Sequence, residues 1–397
     1  MSVGPLLNQV LPSVIELRHR LHRIPEVQYE EFQTAEVIRQ ELRQLGIPFV
    51  AGVPDAPTAT VAWLGNPAKP CIALRADIDA LPITENTGLE YASTHPGKMH
   101  ACGHDGHTAG LIGVAGILKS MEDRLPVCVK LLWQPAEEGG AGASRIIAGG
   151  VLDGRLGPRV GAIFGLHGWP GLKIGTVATR PGPILAGQDT FEVKITGRGC
   201  HGAFPHFGHD PIVAAAECVS SLQHIVSREI DPTDSAVVTV AIFHAGTASN
   251  VIPDVATFSG TARSLNSTTR EQLRLAIERR ARTVAAAHEC ASDFTWSEGY
   301  PPTVNDPDMA DYVANVARAT LGPHCFIPVG KPSMGAEDFS FYLEKIPGCF
   351  FMVGVQPADA PSYPSLHSDR FNFSDEAFPT AMGMFLELVL RFPDTGK

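Results

Sequence analysis

The stretch CIALRAD, residues 71–77, is apolar almost throughout, ends on an acidic residue, and has the length of a buried strand. A helical pattern follows at about 105–121, and a second strand-like stretch, VCVKLLW, occupies residues 127–133. Strands that alternate with helices are typical of an α/β layer. This part of the chain therefore predicts an α/β domain with a largely parallel sheet.

The same alternation extends outward from this stretch in both directions. Further helices are predicted at about 12–23, 33–45, 143–149, 307–321 and 375–391, and further strands at 58–64, 161–167 and 349–355. The pattern is interrupted in the middle of the chain. We therefore expect a discontinuous catalytic domain, built from residues 1–184 and 299–397.

The interrupting block, residues 185–298, has a different order of elements. Its predicted strands are 189–197, 236–243, 255–263 and 292–298, and one helix, 211–229, opens with Asp210 and Pro211. Thr268 and Glu271 predict a capping box before a second helix. Strand, helix, strand, strand, helix, strand is the split order of a ferredoxin-like sandwich, so we predict an inserted α+β domain.

Length and composition limit the class of protein. A chain of 397 residues with 44% apolar and 18% charged residues can bury a large core and exceeds what one layered domain needs. The formal charge of −11, without a cluster of Lys and Arg, argues against a nucleic-acid partner. Two domains and a small-molecule substrate are the expectation.

Cellular location is predicted from three features that the sequence lacks. No apolar stretch approaches the roughly 18 to 20 residues that cross a membrane, and the amino terminus has no pattern of a secretory signal. The eight cysteines form no CxxC pair. These features favour a soluble protein of the reducing cytoplasm.

Polar residues follow several predicted strands directly. Asp77 and Asp79 follow residues 71–77, Glu137 and Glu138 follow the next strand, and His167 ends another. The carboxyl ends of strands meet at one edge of an α/β sheet, where ligands bind. Each residue alone is more often structural or solvated, but their convergence predicts a metal site.

The Glu137–Glu138 pair suggests two different roles. One carboxylate can bind metal while its neighbour transfers a proton; the alternative is a repulsive pair in solvent. The glycine-rich GGAGA of residues 139–143 lets the backbone approach a ligand closely. It lacks the Lys-Ser/Thr ending of a phosphate loop, so the sequence argues against a nucleotide site.

Ten motifs in order resemble those of one known family. They are RHRLHRIPEVQYEE, IALRADIDALPI, MHACGHDGHTA, QPAEEGGAGA, GLHGWP, GRGCHGAFPH, GTASNVIPD, GTARS, SMGAEDFSFY and LHSDRFNF. Together they resemble the aminoacylase and carboxypeptidase amidohydrolases of metallopeptidase family 20, in the branch of hippurate hydrolases and indole-acetyl-amino-acid hydrolases. The resemblance implies a two-metal, aminopeptidase-like catalytic domain.

The resemblance also implies a set of metal-site residues. Two divalent ions, Zn²⁺ first and Mn²⁺, Co²⁺ or Ni²⁺ as alternatives, would be held by Cys102, His104, Glu138, His167 and His367. Glu137 would be the general base for a metal-activated water. Arg75 stands where relatives outside this branch carry a ligand histidine, so we infer that Cys102 bridges the ions and that Asp77 orients a ligand.

In the inserted domain the resemblance implies that His201 stabilises the oxyanion, whereas Asn250 and Arg263 bind the substrate carboxylate. Surface or turn chemistry is the alternative for each. The implied substrates are N-acyl or N-aroyl amino acids, with small peptides of a carboxypeptidase or dipeptidase as the alternative. A non-catalytic protein that binds acyl-amino acids is the rival from another class.

The resemblance further implies a homodimer or a higher homo-oligomer, in which His201 serves the partner's site. Two positions depart from the branch. Cys200 precedes His201 where Gly is usual, and Ser368, Asp369 and Arg370 follow His367 where Pro is common. Neither departure removes a candidate catalytic residue.

Overall fold

The computed structural model describes residues 3–393. Its helices are α1 (Gly4–His22), α2 (Phe32–Gln44), α3 (His104–Ser120), α4 (Gly142–Ala148), α5 (Pro211–Arg228), α6 (Ser267–Ala287), α7 (Pro307–Leu321), α8 (Ser340–Leu343) and α9 (Phe378–Leu390). Its strands are β1 (Phe49–Val53), β2 (Ala56–Leu64), β3 (Cys71–Asp77), β4 (Cys128–Gln134), β5 (Val160–Lys173), β6 (Val177–Thr179), β7 (Gly182–Leu185), β8 (Gly187–Thr196), β9 (Cys200–His201), β10 (Ala236–Ala245), β11 (Val251–Ile252), β12 (Val255–Ser264), β13 (Ala291–Tyr300), β14 (Thr303–Asn305), β15 (Phe326–Pro328) and β16 (Gly348–Gln356).

The chain forms two compact units. Among the described residues, the first contains 3–184, 304–331 and 338–393, and the second contains 185–303 and 332–337. Residues 299–303 and 332–337 therefore belong to the second unit, although the sequence pattern assigned them to the catalytic domain.

The first unit is built on an eight-stranded sheet of order β1-β2-β4-β3-β5-β16-β6-β15. The central strands β4, β3, β5 and β16 pair parallel with one another, and β6 pairs parallel with β15 at one edge of the sheet. On one side β2 pairs antiparallel with β4, and on the other β6 pairs antiparallel with β16. The expectation of a largely parallel sheet is thus correct for the centre, and the sheet as a whole is mixed.

The parallel centre is also the core of the first unit. Every residue of β3, β4 and β16 is buried, because helices cover both faces of a parallel sheet. This explains why these strands appear in the sequence as continuous apolar runs. The side chains that follow them are held on a rigid support.

The second unit has a four-stranded antiparallel sheet of order β10-β12-β8-β13, against which α5 and α6 pack. Asp210 caps α5 as expected, since its carboxylate accepts from the amides of Ile212 and Val213. The predicted capping box of α6 is wrong. Asn266 is the cap and accepts from Thr269 N at 2.8 Å, because the helix begins two residues earlier than the Thr268 pattern requires.

Among the described residues, no helix combines the length and the apolar character needed to cross a membrane.

Candidate metal centre

The polar residues of the first unit gather where the central strands end. β3 ends at Asp77 and α3 begins at His104. β4 leads into the loop that carries Glu137 and Glu138. His167 lies within β5, which continues to Lys173 instead of ending at residue 167, and it pairs with Met352 of β16.

Five of the predicted side chains lie together in two donor groups that share one thiol. Donor atoms of Cys102, His104 and His167 lie within 4.8 Å of one another, and so do those of Cys102, Glu138 and His367. The Sγ atom of Cys102 is 3.3 Å from Nε2 of His167. Cys102 is therefore common to both of these groups.

The two buried imidazoles are oriented by hydrogen bonds from their Nδ1 atoms. His167 Nδ1 contacts the carbonyl of Gly168 at 2.9 Å, and His104 Nδ1 contacts the carbonyl of Asp79 at 2.9 Å. A carbonyl can only accept, so in the neutral form of each ring Nδ1 carries the proton and Nε2 presents a lone pair. The Nε2 atom of His104 is buried and has no hydrogen-bond partner in the described chain.

Glu138 and His367 face each other in the second donor group. Their Oε1 and Nε2 atoms are 3.1 Å apart, yet Oε1 of Glu138 forms no hydrogen bond within residues 3–393. His367 has φ of 64°, a left-handed conformation that is costly for a non-glycine residue and that is typical of functional sites. Its amide is held by the carbonyl of Ala101 at 2.9 Å.

The electrostatics of the group favour a bound cation. Burial disfavours a charged imidazole, but Asp77, Asp79 and Glu138 outweigh it and raise the pKa of His104 to about 10. Burial, followed by the charges of Glu138 and Glu137, raises the pKa of the Cys102 thiol well above its usual range. Divalent ions held by these residues would offset the buried negative charge and would favour the thiolate form of Cys102.

The donor set fits divalent ions on these observations. It combines a shared thiol, imidazole nitrogens and a carboxylate, and two of its donor atoms are buried without a hydrogen bond. Sulfur and nitrogen donors suit Zn²⁺ and other first-row ions.

Two residues beside the proposed ligands, Asp79 and His107, were not assigned a role from the sequence. Asp79 contacts Nδ1 of His104 through its carboxylate at 3.3 Å, and its other oxygen accepts from Glu138 N at 2.8 Å. It thus supports two of the proposed ligands. The spacing of Asp79 two residues after Asp77 was the available signal, but strand periodicity alone does not tell which carboxylate faces the ligand.

Asp77 itself is fully buried between Arg75 Nη1 and His107 Nδ1, each at 2.6 Å. Its Oδ2 atom lies 3.7 Å from Nε2 of His104. His107 also accepts from Gly168 N at 2.9 Å, so both of its nitrogens are used within the protein. His107 is therefore a support for Asp77 and β5 and is not available as a ligand in this arrangement.

Glu137 lies beside the ligands on the same loop as Glu138. It is 6% exposed, and one of its oxygens lies within 4.8 Å of donor atoms of His104 and Glu138. Its Oε1 atom accepts from Asp338 N at 3.4 Å. A carboxylate so placed can exchange a proton with a molecule bound at the centre.

In the second unit, a two-stranded ribbon brings His201 and Asn250 together. β9 pairs with β11, with His201 opposite Val251, and Gly202 N donates to the carbonyl of Asn250 at 2.8 Å. Both side chains are exposed. Nδ1 of His201 accepts from Ala203 N at 3.1 Å, so the neutral ring carries its proton on Nε2 and can donate outward.

Arg263 lies apart from that ribbon, on β12. Its Nη1 atom donates to the carbonyl of Met334 at 2.7 Å, and partial burial lowers the pKa of its guanidinium. Within the described residues it forms no ion pair. A half-buried guanidinium in that condition can take an anionic partner.

Comparison with known proteins matches nearly the whole chain to one peptidase family. The model of peptidase family M20/M25/M40 matches residues 73–391. The chain is 42% identical to IAA-amino acid hydrolase ILR1-like 4 of Arabidopsis thaliana, over 97% of this chain and 87% of that protein. It is also 42% identical to the N-acetyl-L-cysteine deacetylase of Bacillus subtilis (strain 168), over 98% and 91%.

A solved structure agrees with both relatives. The Bacillus subtilis YxeP protein, described as a dinuclear metal binding peptidase from the M20 family, superposes with a TM-score of 0.83 at 36% identity. The match covers 96% of this chain and 98% of that one.

Proposed function

We propose that this chain, which belongs to peptidase family M20/M25/M40, cleaves the amide bond of N-acyl or N-aroyl amino acids. It is a metal-dependent amidohydrolase of that family. Similar proteins are named for indole-acetyl-amino acids and for N-acetyl-L-cysteine, and both substrates join an acyl group to an amino acid that keeps its carboxylate.

The observation that carries the proposal is the pair of donor groups that share Cys102, with Glu137 beside them. We assign Cys102, His104, His167, Glu138 and His367 as ligands of two divalent ions, Zn²⁺ first. Ions held there would supply Lewis-acid polarisation of the scissile carbonyl and would acidify water. Asp79 and Asp77 orient the ligands through the contacts described above.

The remaining steps belong to side chains of this protein. Glu137 takes a proton from the attacking water and returns it to the leaving amine nitrogen, which becomes the free amino acid. His201 donates from Nε2 to the oxyanion of the tetrahedral intermediate. Arg263 and Asn250 bind the carboxylate of the amino acid, which predicts a preference for substrates with a free carboxylate.

We also propose that the second unit, as an inserted ferredoxin-like domain, mediates a homodimer. β10 is an edge strand, and with the start of α5 and the His201 loop it exposes a set of large apolar side chains: Phe204, Phe207, Val213, Ile242 and Phe243. An exposed edge with apolar neighbours is suited to pairing with a second copy. The eight cysteines are free thiols, which supports a reducing, cytoplasmic location.

The test is a substrate screen with the metal content measured on the same protein. Hippurate, N-acetyl amino acids, indole-acetyl amino acids and dipeptides are compared at equal concentration, together with the amide of each acid. We expect turnover of the acyl-amino acids and little of their amides. A clear preference for dipeptides would indicate a carboxypeptidase or dipeptidase, and metal-loaded protein that binds without turnover would indicate the binding-protein alternative.

A further inference from the structure

A short segment before α2 contacts the backbone of the catalytic loop at three points. Glu31 Oε1 accepts from Ala136 N at 3.0 Å, the side-chain amide of Gln28 donates to the carbonyl of Glu138, and the Tyr29 hydroxyl donates to the carbonyl of Gly140 at 2.6 Å. The three contacts span the loop on both sides of Glu137. No part of the proposed chemistry uses these three side chains.

The loop that they contact has an unusual backbone. Ala136 and Ala141 have φ of 55° and 53°, and Gly139 has φ of 93°. Left-handed alanines are costly, so surrounding contacts must hold them. The loop therefore needs an external support to keep Glu137 in place.

The side chain of Glu31 contacts the catalytic loop and does not cap helix α2. It is the residue before α2, where a side chain ordinarily caps the helix, yet it makes no capping bond. Its side chain is fully buried; Oε1 also accepts from Tyr29 N at 3.0 Å, and Oε2 accepts from Thr58 Oγ1 at 2.8 Å. Burying a carboxylate is costly unless its oxygens accept hydrogen bonds. Both oxygens of Glu31 do so, and one of these bonds reaches the catalytic loop at Ala136 N.

The catalytic loop also packs closely against Tyr29. A Cβ atom on Gly140 would lie 3.0 Å from the Tyr29 ring and 2.6 Å from Cβ of Ala136. The segment itself is held to the residues that follow β3, because Ala80 N donates to the carbonyl of Glu26 at 2.8 Å. These contacts thus connect the catalytic loop with the stretch directly after β3.

We propose that Gln28, Tyr29 and Glu31 form a backbone clamp that positions Glu137, with Glu31 as its main positioning residue. The inference rests on the proposed function, in which Glu137 transfers the proton. A displacement of about 1 Å at a catalytic group can cost roughly a hundredfold in turnover, so the clamp acts on kcat.

The test compares Glu31→Ala and Glu31→Gln with Glu30→Gln in the full-length, metal-loaded protein. Glu30 is the matched control, since it is the adjacent residue and its 64% exposed side chain pairs with Lys98 at 3.2 Å. Measured are kcat and KM on the best acyl-amino acid, metal content, and hydrogen exchange of peptides covering residues 134–144. Glutamine keeps Oε1 for Ala136 N and can donate to Thr58, so it should rescue what alanine loses.

We expect Glu31→Ala to lower kcat about a hundredfold with KM within about threefold, and to speed exchange in residues 134–144 and at the Tyr29 amide, with the rest of the first unit unchanged. The kcat of Glu31→Gln and that of Glu30→Gln should each stay within about threefold of the wild-type value. Unchanged kcat and exchange in Glu31→Ala, or no rescue by Gln, would overturn the proposal. A uniform rise in exchange across the first unit would also overturn it, because it would mean a merely structural role.

Two further outcomes separate the clamp from the function. If wild type hydrolyses none of the substrates, the proposed function fails, but local exchange in Glu31→Ala against Glu30→Gln still decides the clamp. If Glu31→Ala does not fold, Tyr29→Phe removes only the hydroxyl contact to Gly140. In Tyr29→Phe, exchange in residues 134–144 should rise and kcat should fall about fivefold. Wild-type values of both exchange and kcat in this variant would overturn the proposal.

Discussion

The metal centre of the first unit and the polar ribbon of the second differ in how their side chains are held. His104 and His167 are buried, and each imidazole is oriented by a backbone carbonyl. His201 and Asn250 are exposed on a ribbon of two-residue strands. The difference teaches that the first unit holds its polar side chains by contacts within the unit, whereas those of the ribbon are exposed, as the proposed contact with a substrate or a second subunit requires.

Metal removal should break this comparison most strongly. A chelator should abolish turnover and speed hydrogen exchange in peptides with Cys102, Glu138 and His367, because bound ions stabilise only the conformation that holds them. Peptides of α5 and α6 in the second unit are the internal control and should not change. Full activity in protein shown to be metal-free would contradict the proposed chemistry.

The adjacent acids of the catalytic loop provide the second test. Glu137→Gln should retain its metal and lose about 10²- to 10⁴-fold in kcat, because it removes proton transfer and leaves the ligands intact. Glu138→Gln should lose metal as well. Metal analysis and turnover on both variants would reveal a reversed assignment if only Glu137→Gln lost metal.

His201→Ala tests the exposed ribbon and should lower kcat about 10²- to 10³-fold, the effect of losing one oxyanion donor. His206→Ala, in the same exposed loop, is the control and should have little effect. Mixing His201→Ala with Glu137→Ala subunits should partly restore activity, because one site of each mixed dimer keeps both groups. Mixed dimers that form but stay inactive would show that His201 does not serve its partner.

Arg263→Ala should weaken binding of the free acids by about 1.5 to 3 kcal/mol, since a charged hydrogen bond is lost. The amides of the same substrates serve as the control, and their kcat/KM should change little. Equal losses for acids and amides would remove Arg263 from carboxylate recognition.

Asp79→Asn should have the smallest effect, about a tenfold loss of metal affinity with the fold intact. The variant cannot accept from both His104 Nδ1 and Glu138 N in the way that two carboxylate oxygens do. Chelator competition measures the affinity, and Asp153→Asn, an exposed aspartate, is the control. Wild-type affinity in Asp79→Asn would mean that Asp79 does not support the ligands.

Much of the element order could be predicted from residue patterns, because hydrophobic periodicity reports local burial directly. The patterns at 71–77 and 307–321 coincide with β3 and α7. The mixed character of the sheet could not be predicted in this way, since the direction of β2 and β6 depends on connections and not on their own residues. The Asn266 cap was missed because Asn266 and Thr268 are both residue types that cap helices, and the sequence pattern alone does not tell which of them is the cap.

The sequence by itself determined which residue types would gather at the carboxyl ends of the strands and which family the motifs resemble. Only the tertiary structure decided which atoms face one another. In the folded chain Asp79, and not Asp77, contacts Nδ1 of His104. Likewise, Glu31 accepts a hydrogen bond from Ala136 N, which lies 105 positions further along the chain. The physical reason is that periodicity describes how one segment is buried, whereas hydrogen bonds between distant segments exist only after those segments have packed.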